Sequence, residues 1–214
     1  QTPAADGCVS AVLLDALGAP VAGGAEPAFV RFDGVAGSFS TWAVALVTPL
    51  DTTPPSLTLP ANVLVNATSP TGAAVSYRVI ASDLVDPSPT VSCAPSSGSV
   101  FPVGTTTVNC TATDEAGNSA AGSFTIYVRG AGEQITALIA KTRAFLDAPA
   151  LEAGLTATLR VAATALAAGR KPVACTALSV YIVVVRATPT RLLTSAKKSE
   201  LVADATRIRT VIGC

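Results

Sequence analysis

The sequence predicts a multidomain fold that joins β and α segments: a partial β segment at residues 1–50, an immunoglobulin-like β-sandwich at 51–129 and an antiparallel helical bundle at 130–214. This prediction depends on two patterns. In the middle segment, apolar residues alternate with polar ones in short runs separated by Pro, Gly, Ser and Asp. In the last segment they recur every three or four positions, which is the period of a helix face.

The composition of the 214 residues excludes several classes of protein. The 14 basic residues balance the 14 acidic ones, whereas a nucleic-acid-binding protein needs a dominant cationic face. The chain has no His, which excludes Ser-His-Asp and Cys-His catalysis and imidazole metal ligands. The longest apolar run, 180–185, is too short for a transmembrane segment, which needs about 20 residues.

Five Cys residues indicate an oxidising compartment. They stand at positions 8, 93, 110, 175 and 214, and no two are closer than 17 positions. Zinc ligands usually come as much closer Cys pairs, so structural disulfides are the favoured interpretation. The chain starts at Gln1 without a Met or an apolar signal stretch. We therefore expect a mature product from which an export signal or a larger N-terminal part was removed.

The first 50 residues contain three candidate strands, at 8–15, 28–33 and 40–47. Three or four strands cannot close a sandwich by themselves. We therefore predict that this segment is either the end of an upstream β domain or a sheet that another chain completes.

The middle segment opens with Asp51-Thr52-Thr53-Pro54-Pro55, a stiff extended linker that forbids a helix. The alternation of apolar and polar residues is clearest in its last two runs. The loop between those runs, 114–118, is predicted to be a tight hairpin loop in which Gly117 supplies the positive φ. Seven short strands suit an immunoglobulin-like sandwich. They are predicted at 56–59, 62–66, 75–82, 90–94, 99–101, 105–114 and 120–128.

Three parts of this segment carry a family resemblance: the opening linker, Pro60-Ala61-Asn62, and the run 101–118, which reads FPVGTTTVNCTATDEAGN. With them the segment closely resembles the hyalin-repeat (HYR) domain. The resemblance implies an extracellular immunoglobulin-like module associated with adhesion, in which Cys93 pairs with Cys110.

The chain departs from this family at one pair of positions. Many members carry a second Cys pair, just before the Pro-Ala-Asn motif and just before the last strand. Those positions correspond to Leu59 and Gly122 here. Both partners are missing, so we expect ordinary packing to replace the bridge.

Residues 130–214 predict four helices with short links, which make an antiparallel bundle. Pro149 is predicted to end the first helix and Gly169 to close the second, while Pro172 stands in the first turn of the third. Thr194 is the predicted N-cap of the fourth helix and Gly213 its C-terminal cap. The β-branched run 181–185 prefers strand by itself, but we predict helix because its neighbours are helical.

The helical segment also resembles the FIMAH-type helical domain, which stands at the C-terminus of secreted bacterial proteins, often after HYR-like modules. The matching positions are 135–146, the run Ala174-Cys175-Thr176-Ala177-Leu178, and 201–214. The resemblance implies a bridge between Cys175 and Cys214 and favours a bacterial origin, and it implies no catalysis.

Cys8 has no partner if 93–110 and 175–214 pair. An odd Cys in an exported protein predicts a bridge to another chain or a partner removed by processing, and the alternative is a free or buried thiol. The oxygen donors Asp83, Asp86, Asp114, Glu115 and Asn118 fall on predicted loop tips, where they could bind Ca²⁺. Turn-forming hydrogen bonds explain the same residues without a metal.

Charge is distributed unevenly along the chain. Residues 51–129 carry two basic and five acidic residues, and residues 130–214 carry eleven and five. Complementary ends favour association of one chain with the next, and a head-to-tail contact that does not close grows a filament. Val183 and Val184 are predicted to face away from the helical core as an interaction patch. The two charged parts could equally meet within one chain, or the helical part could face an anionic cell surface.

These patterns predict a secreted or cell-surface structural or adhesion protein that is not an enzyme and needs no cofactor. Its expected partners are copies of itself in a filament, other cell-surface proteins or polysaccharide. The alternative is an accessory binding module, for carbohydrate or cell surface, processed from a larger exoenzyme.

Overall fold

The computed structural model describes residues 10–14, 29–33 and 50–214. The chain divides into two compact units, residues 1–52 and 53–214. In the first unit, strand β1 (Ser10–Leu14) pairs antiparallel with β2 (Phe29–Asp33), at two of the three predicted strand positions. Cys8 and the strand predicted at 40–47 lie outside the described residues.

The β part of the second unit consists of one four-stranded sheet and two short strand pairs. The sheet has the order β4-β10-β9-β7, with β4 parallel to β10 and the other neighbours antiparallel. The short pairs are β3–β6 and β5–β8. The strands are β3 (Ser56–Thr58), β4 (Val63–Asn66), β5 (Ala73–Ala74), β6 (Ile80–Ser82), β7 (Thr90–Ala94), β8 (Val100–Phe101), β9 (Gly104–Thr113) and β10 (Ser119–Arg129).

The alternation in the two longest strands builds the β core. Every second residue of β10 from Phe124 to Val128 is buried, and β9 buries Val108, Cys110 and Ala112 in the same way. The polar residues between them face outwards, since successive side chains of a strand point to opposite faces. The hairpin loop predicted at 114–118 is confirmed, with Gly117 at φ 92°.

The strand predicted at 75–82 is wrong over its first five residues, because only Ile80–Ser82 pairs. At Val75 the backbone still makes two bonds, from the Val75 N–H to the Ser99 carbonyl and from the Gly98 N–H to the Val75 carbonyl, but at Tyr77 it bonds with a side chain. The Tyr77 N–H donates to Ser97 Oγ, and that hydroxyl donates to the Tyr77 carbonyl. The apolar alternation there is real, since Val75 is buried, but the two bonds at Val75 do not continue into a strand ladder.

Four helices follow the β part, as predicted: α1 (Ala131–Phe145), α2 (Pro149–Ala167), α3 (Lys171–Ala187) and α4 (Ser195–Ile212). Each contacts the next and α1 also contacts α4, around one apolar core. The run 181–185 is helical, because Tyr181, Ile182 and Val185 fall on the buried face. The prediction that Pro149 ends α1 is wrong. Pro149 is instead the first residue of α2, a position at which its missing N–H costs nothing.

The predicted limits of α4 are confirmed. Thr194 is its N-cap, with Oγ1 accepting from the Lys197 N–H, and Gly213 ends it in the left-handed conformation. Because a residue without Cβ adopts this conformation at no steric cost, the chain can turn there and bring Cys214 back to α3.

Tyr181 makes the helical core sensitive to alkaline pH. Its phenol is fully buried and shares a 2.7 Å hydrogen bond with Thr142 Oγ1. Burial raises the pKa of Tyr181 to about 12, with a contribution from Asp204, although the bond to Thr142 lowers it. The unfolded chain, with a tyrosine pKa of about 10, therefore loses this proton first, and stability falls as pH rises from about 10 to about 12.

We expect Tyr181→Phe to remove this alkaline loss, which is about 1.4 kcal/mol at pH 11. At pH 8 the variant is expected to be about 1 kcal/mol less stable than the parent, because one buried hydrogen bond is missing. Urea unfolding at pH 8 and pH 11 measures both effects. Thr142→Val is the control, since it removes the same hydrogen bond but keeps the phenol. An alkaline loss that is equal in parent and Tyr181→Phe would contradict this role.

Candidate functional site

The β part and the helical part meet at a hydrogen-bonded junction. A single residue, Gly130, separates β10 from α1. Glu133 fastens this connection, because its two carboxylate oxygens accept from Tyr127 Oη at 2.7 Å and from the Gly130 N–H at 3.2 Å. The hydrogen bond to Glu133 is the main cause that raises the pKa of Tyr127. One side chain thus caps α1 and holds the end of the last strand.

Gln134 is the centre of the junction, and only 2% of it is exposed. Its Nε2 donates to the carbonyls of Ala67 at 3.1 Å and Arg129 at 2.9 Å. Its Oε1 accepts from Arg207 Nε at 2.9 Å. Arg207 in turn pairs with Asp204 at 2.9 Å. The β part, α1 and α4 are therefore connected through one amide group.

Apolar packing continues across the same junction. Val211 of α4 is buried in the core of the β part, with Phe124 and Ile126, whereas its neighbours Ile208 and Ile212 are buried in the helical core. Ala131 at the start of α1 packs against both cores. α4 thus closes the two cores at once. The roles of Gln134 and Val211 could not be predicted from the sequence, because neither a single Gln nor one Val in an apolar helix pattern indicates a contact with another segment.

We expect Gln134→Ala to destabilise the protein by about 2–3 kcal/mol, because the buried Ala67 carbonyl and the Arg207 Nε–H lose their partner, while the Arg129 carbonyl keeps its bond from the Ala67 N–H. Urea unfolding followed by circular dichroism measures this loss. Thr136→Ala on the exposed side of the same helix is the matched control and should change stability by less than about 0.5 kcal/mol. Equal losses of stability in the two variants would show that Gln134 does not stabilise the junction.

Two disulfides staple the second unit. Cys93 and Cys110 face each other on β7 and β9. Cys175 in the first turns of α3 is bonded to Cys214, just after α4. The first bridge joins strands that are already paired, whereas the second fixes the end of the helix that reaches both cores. Cys8 lies outside the described residues.

Leu59 lies directly over Gly122, the two positions where the sequence lacks the second Cys pair. A Cβ added to Gly122 would stand 2.7 Å from Leu59 Cδ1. The side chain of Leu59 therefore fills the space above a residue that has none. Packing between these two residues stands where the expected second bridge is missing, as predicted.

The predicted cation ligands accept hydrogen bonds from N–H groups of their own loop or of the neighbouring one. Asp83 Oδ1 accepts from the N–H groups of Val85 and Asp86, and these bonds lower the pKa of Asp83. Asp114 accepts from Asn118 through both carboxylate oxygens. An oxygen of Asp83 and one of Asp114 lie within 4.8 Å of each other. Calcium binding stays a prediction, because turn formation already accounts for these hydrogen bonds.

Val183 and Val184 stand about one helical turn after Val180, which lines an apolar groove that the two valines themselves do not line. Their exposed fractions are 64% and 37%, and this open groove of about 540 Å³ lies between α2 and α3 of the same hairpin. Valines line it from both helices. We call the groove and the two valines the valine face; its exposed valines are Val161, Val173, Val180, Val183 and Val184. In the part of the chain that the structure describes, no helix is long and apolar enough to cross a membrane.

The β part of the second unit matches a known family. Residues 50–128 match the family model of the HYR domain. The HYR domain is an extracellular adhesion-type domain, and the two disulfides fit such a setting. No curated protein matches the chain.

Proposed function

Taking the HYR match of residues 50–128 as the premise, we propose that the protein is an extracellular structural and adhesion protein that performs no catalysis. In this proposal the β part is an immunoglobulin-like sandwich and the four helices form a FIMAH-like domain of a secreted, bacterial protein. Its copies associate head to tail into a surface filament, and no cofactor takes part.

The observation that carries the proposal is the way in which the β part and the helical part of the second unit are connected. A protein that transmits force between partners needs parts that do not separate under load. Here Gln134 connects three elements, α4 reaches into both cores, and Cys175–Cys214 fixes the end of α4. This construction supports a mechanical role.

The charge distribution supports association between copies. Residues 51–129 have a net charge of −3 and residues 130–214 a net charge of +6. Such opposite fields orient two chains before contact and raise the rate of association, and the effect falls with salt because exposed charges are screened. We therefore expect assembly to be faster at 20 mM than at 500 mM salt.

Electron microscopy of the native full chain at the two salt concentrations tests the proposal. Regular fibres that form faster at low salt are the expected result. Monodisperse particles that bind a polysaccharide would instead support the accessory module of a larger exoenzyme. Turnover on a panel of glycoside, ester and peptide substrates would contradict the non-catalytic role.

A further inference from the structure

We infer that copies of this chain join through one defined contact: the exposed loop 83–86 of one copy inserts into the valine face of the next. This inference rests on the proposed self-assembly and names its two surfaces.

The loop 83–86 presents two apolar side chains to water. Leu84 is 96% exposed and Val85 is 65% exposed. The loop is held in shape beneath them, since Asp83 accepts from two N–H groups of the loop and Asp86 accepts from those of Ser88 and Glu115. The carboxylates of Asp83 and Asp86 flank the apolar pair, and exposed Glu115 is bonded to the same loop. We call this feature the acidic tip.

The acidic tip stands at the end of the β part that is remote from the helices. It is bonded to the hairpin loop that precedes β10, whereas α1 follows the other end of that strand. The 11 residues of β10 separate the two ends by about 33 Å at the rise of an extended strand. One chain therefore offers the tip and the valine face in different regions, as a head-to-tail contact requires.

The valine face is apolar in its groove and cationic around it. Between Glu152 and Glu200 the sequence contains seven basic residues and no acidic one. Four of them lie on or beside the α2–α3 hairpin and are exposed: Arg160, Arg170, Lys171 and Arg186. Among the described residues, no carboxylate lies within ion-pair distance of these four. An open groove of about 540 Å³ has room for several side chains.

Charge decides which surface occupies the groove. Two valine faces brought together would oppose cations to cations, which is unfavourable. An acidic tip instead sets Asp83, Asp86 and Glu115 against the arginines and buries Leu84 and Val85 on valines. Because this contact joins two different surfaces, each added copy leaves one tip and one valine face free, and the assembly grows.

The test uses the full chain with Cys8→Ser, so that no bridge from Cys8 contributes. The tip variant carries Leu84→Ser and Val85→Ser, and the groove variant carries Val180→Glu at a position that is 47% exposed. Val100→Ser, which is 57% exposed on β8, is the matched control. Circular dichroism and thermal melting verify that each variant is folded, and sedimentation velocity measures association.

We expect each variant alone to associate at least tenfold more weakly than the parent, while the control assembles like the parent. An equimolar mixture of the two variants should form dimers and nothing longer, because only one intact tip and one intact groove can meet. Assembly of either variant at the parental level, or a mixture that stays monomeric, would overturn the inference and leave the proposed filament standing. A parent chain that never associates would overturn both.

Discussion

Gly72→Ala is expected to destabilise the protein by about 4 kcal/mol. Gly72 has a φ of 126°, which residues with a side chain rarely adopt, and this strain costs on the order of 1–3 kcal/mol. A Cβ at this position would also stand 1.9 Å from the carbonyl oxygen of Phe101. Because Phe101 is fully buried, β8 cannot move aside without disturbing the core.

Urea unfolding measures this loss as a shift of the midpoint. Gly98→Ala is the matched control, since Gly98 also has a positive φ, 85°, but a Cβ there would contact nothing within 4 Å. Strain alone should cost the control variant about 1 kcal/mol. Equal losses in the two variants would show that the approach of Phe101 to Gly72 is not what requires glycine.

The features that the sequence predicts well are local. The period-two pattern of 105–114 and 120–128 determines which side of β9 and β10 is buried, because alternation is a property of the extended chain itself. Thr194 and Gly213 mark the ends of α4 for the same reason, since each satisfies backbone groups within one turn. Such signals need no knowledge of the rest of the fold.

The features that the sequence did not predict depend on partners that are remote in the chain. β5 consists of two alanines and exists because β8 lies beside it. Gln134 bonds to Ala67, 67 positions away, and to Arg207, 73 positions away. A polar residue beside an apolar helix face looks like an exposed one until the opposite surface is known. Pro149 shows the same limit, because a proline can either follow a helix or begin one.

The candidate interaction surfaces also contain one part that local sequence patterns predict and one part that they do not. Helical periodicity assigns Val183 and Val184 to the outer side of α3, and both are exposed. The groove beside them could not be predicted, because it forms only where α2 and α3 pack against each other. Leu84 gave no signal either, since an apolar residue in a loop is as often buried as exposed.

Removing the bridge between Cys175 and Cys214 is expected to cost more than removing the one between Cys93 and Cys110. The first spans 39 positions and the second 17. Loop-closure entropy alone gives losses of about 4 and about 3 kcal/mol, since the longer loop restricts the unfolded chain more. The double variants Cys175→Ala/Cys214→Ala and Cys93→Ala/Cys110→Ala provide the comparison, each acting as the control for the other.

The packing of α4 increases the expected difference in stability loss between the two double variants. Without the first bridge, the last turn of α4 is held only by its contacts, and that turn contains Val211, in the β core, and Ile212, in the helical core. Without the second, β7 and β9 remain paired by five residues of ladder. We therefore expect Cys175→Ala/Cys214→Ala to shift the unfolding of both the β part and the helical part. Hydrogen exchange of β10 and α1 amides measures this, and unchanged protection in β10 would show that the end of α4 does not close the β core.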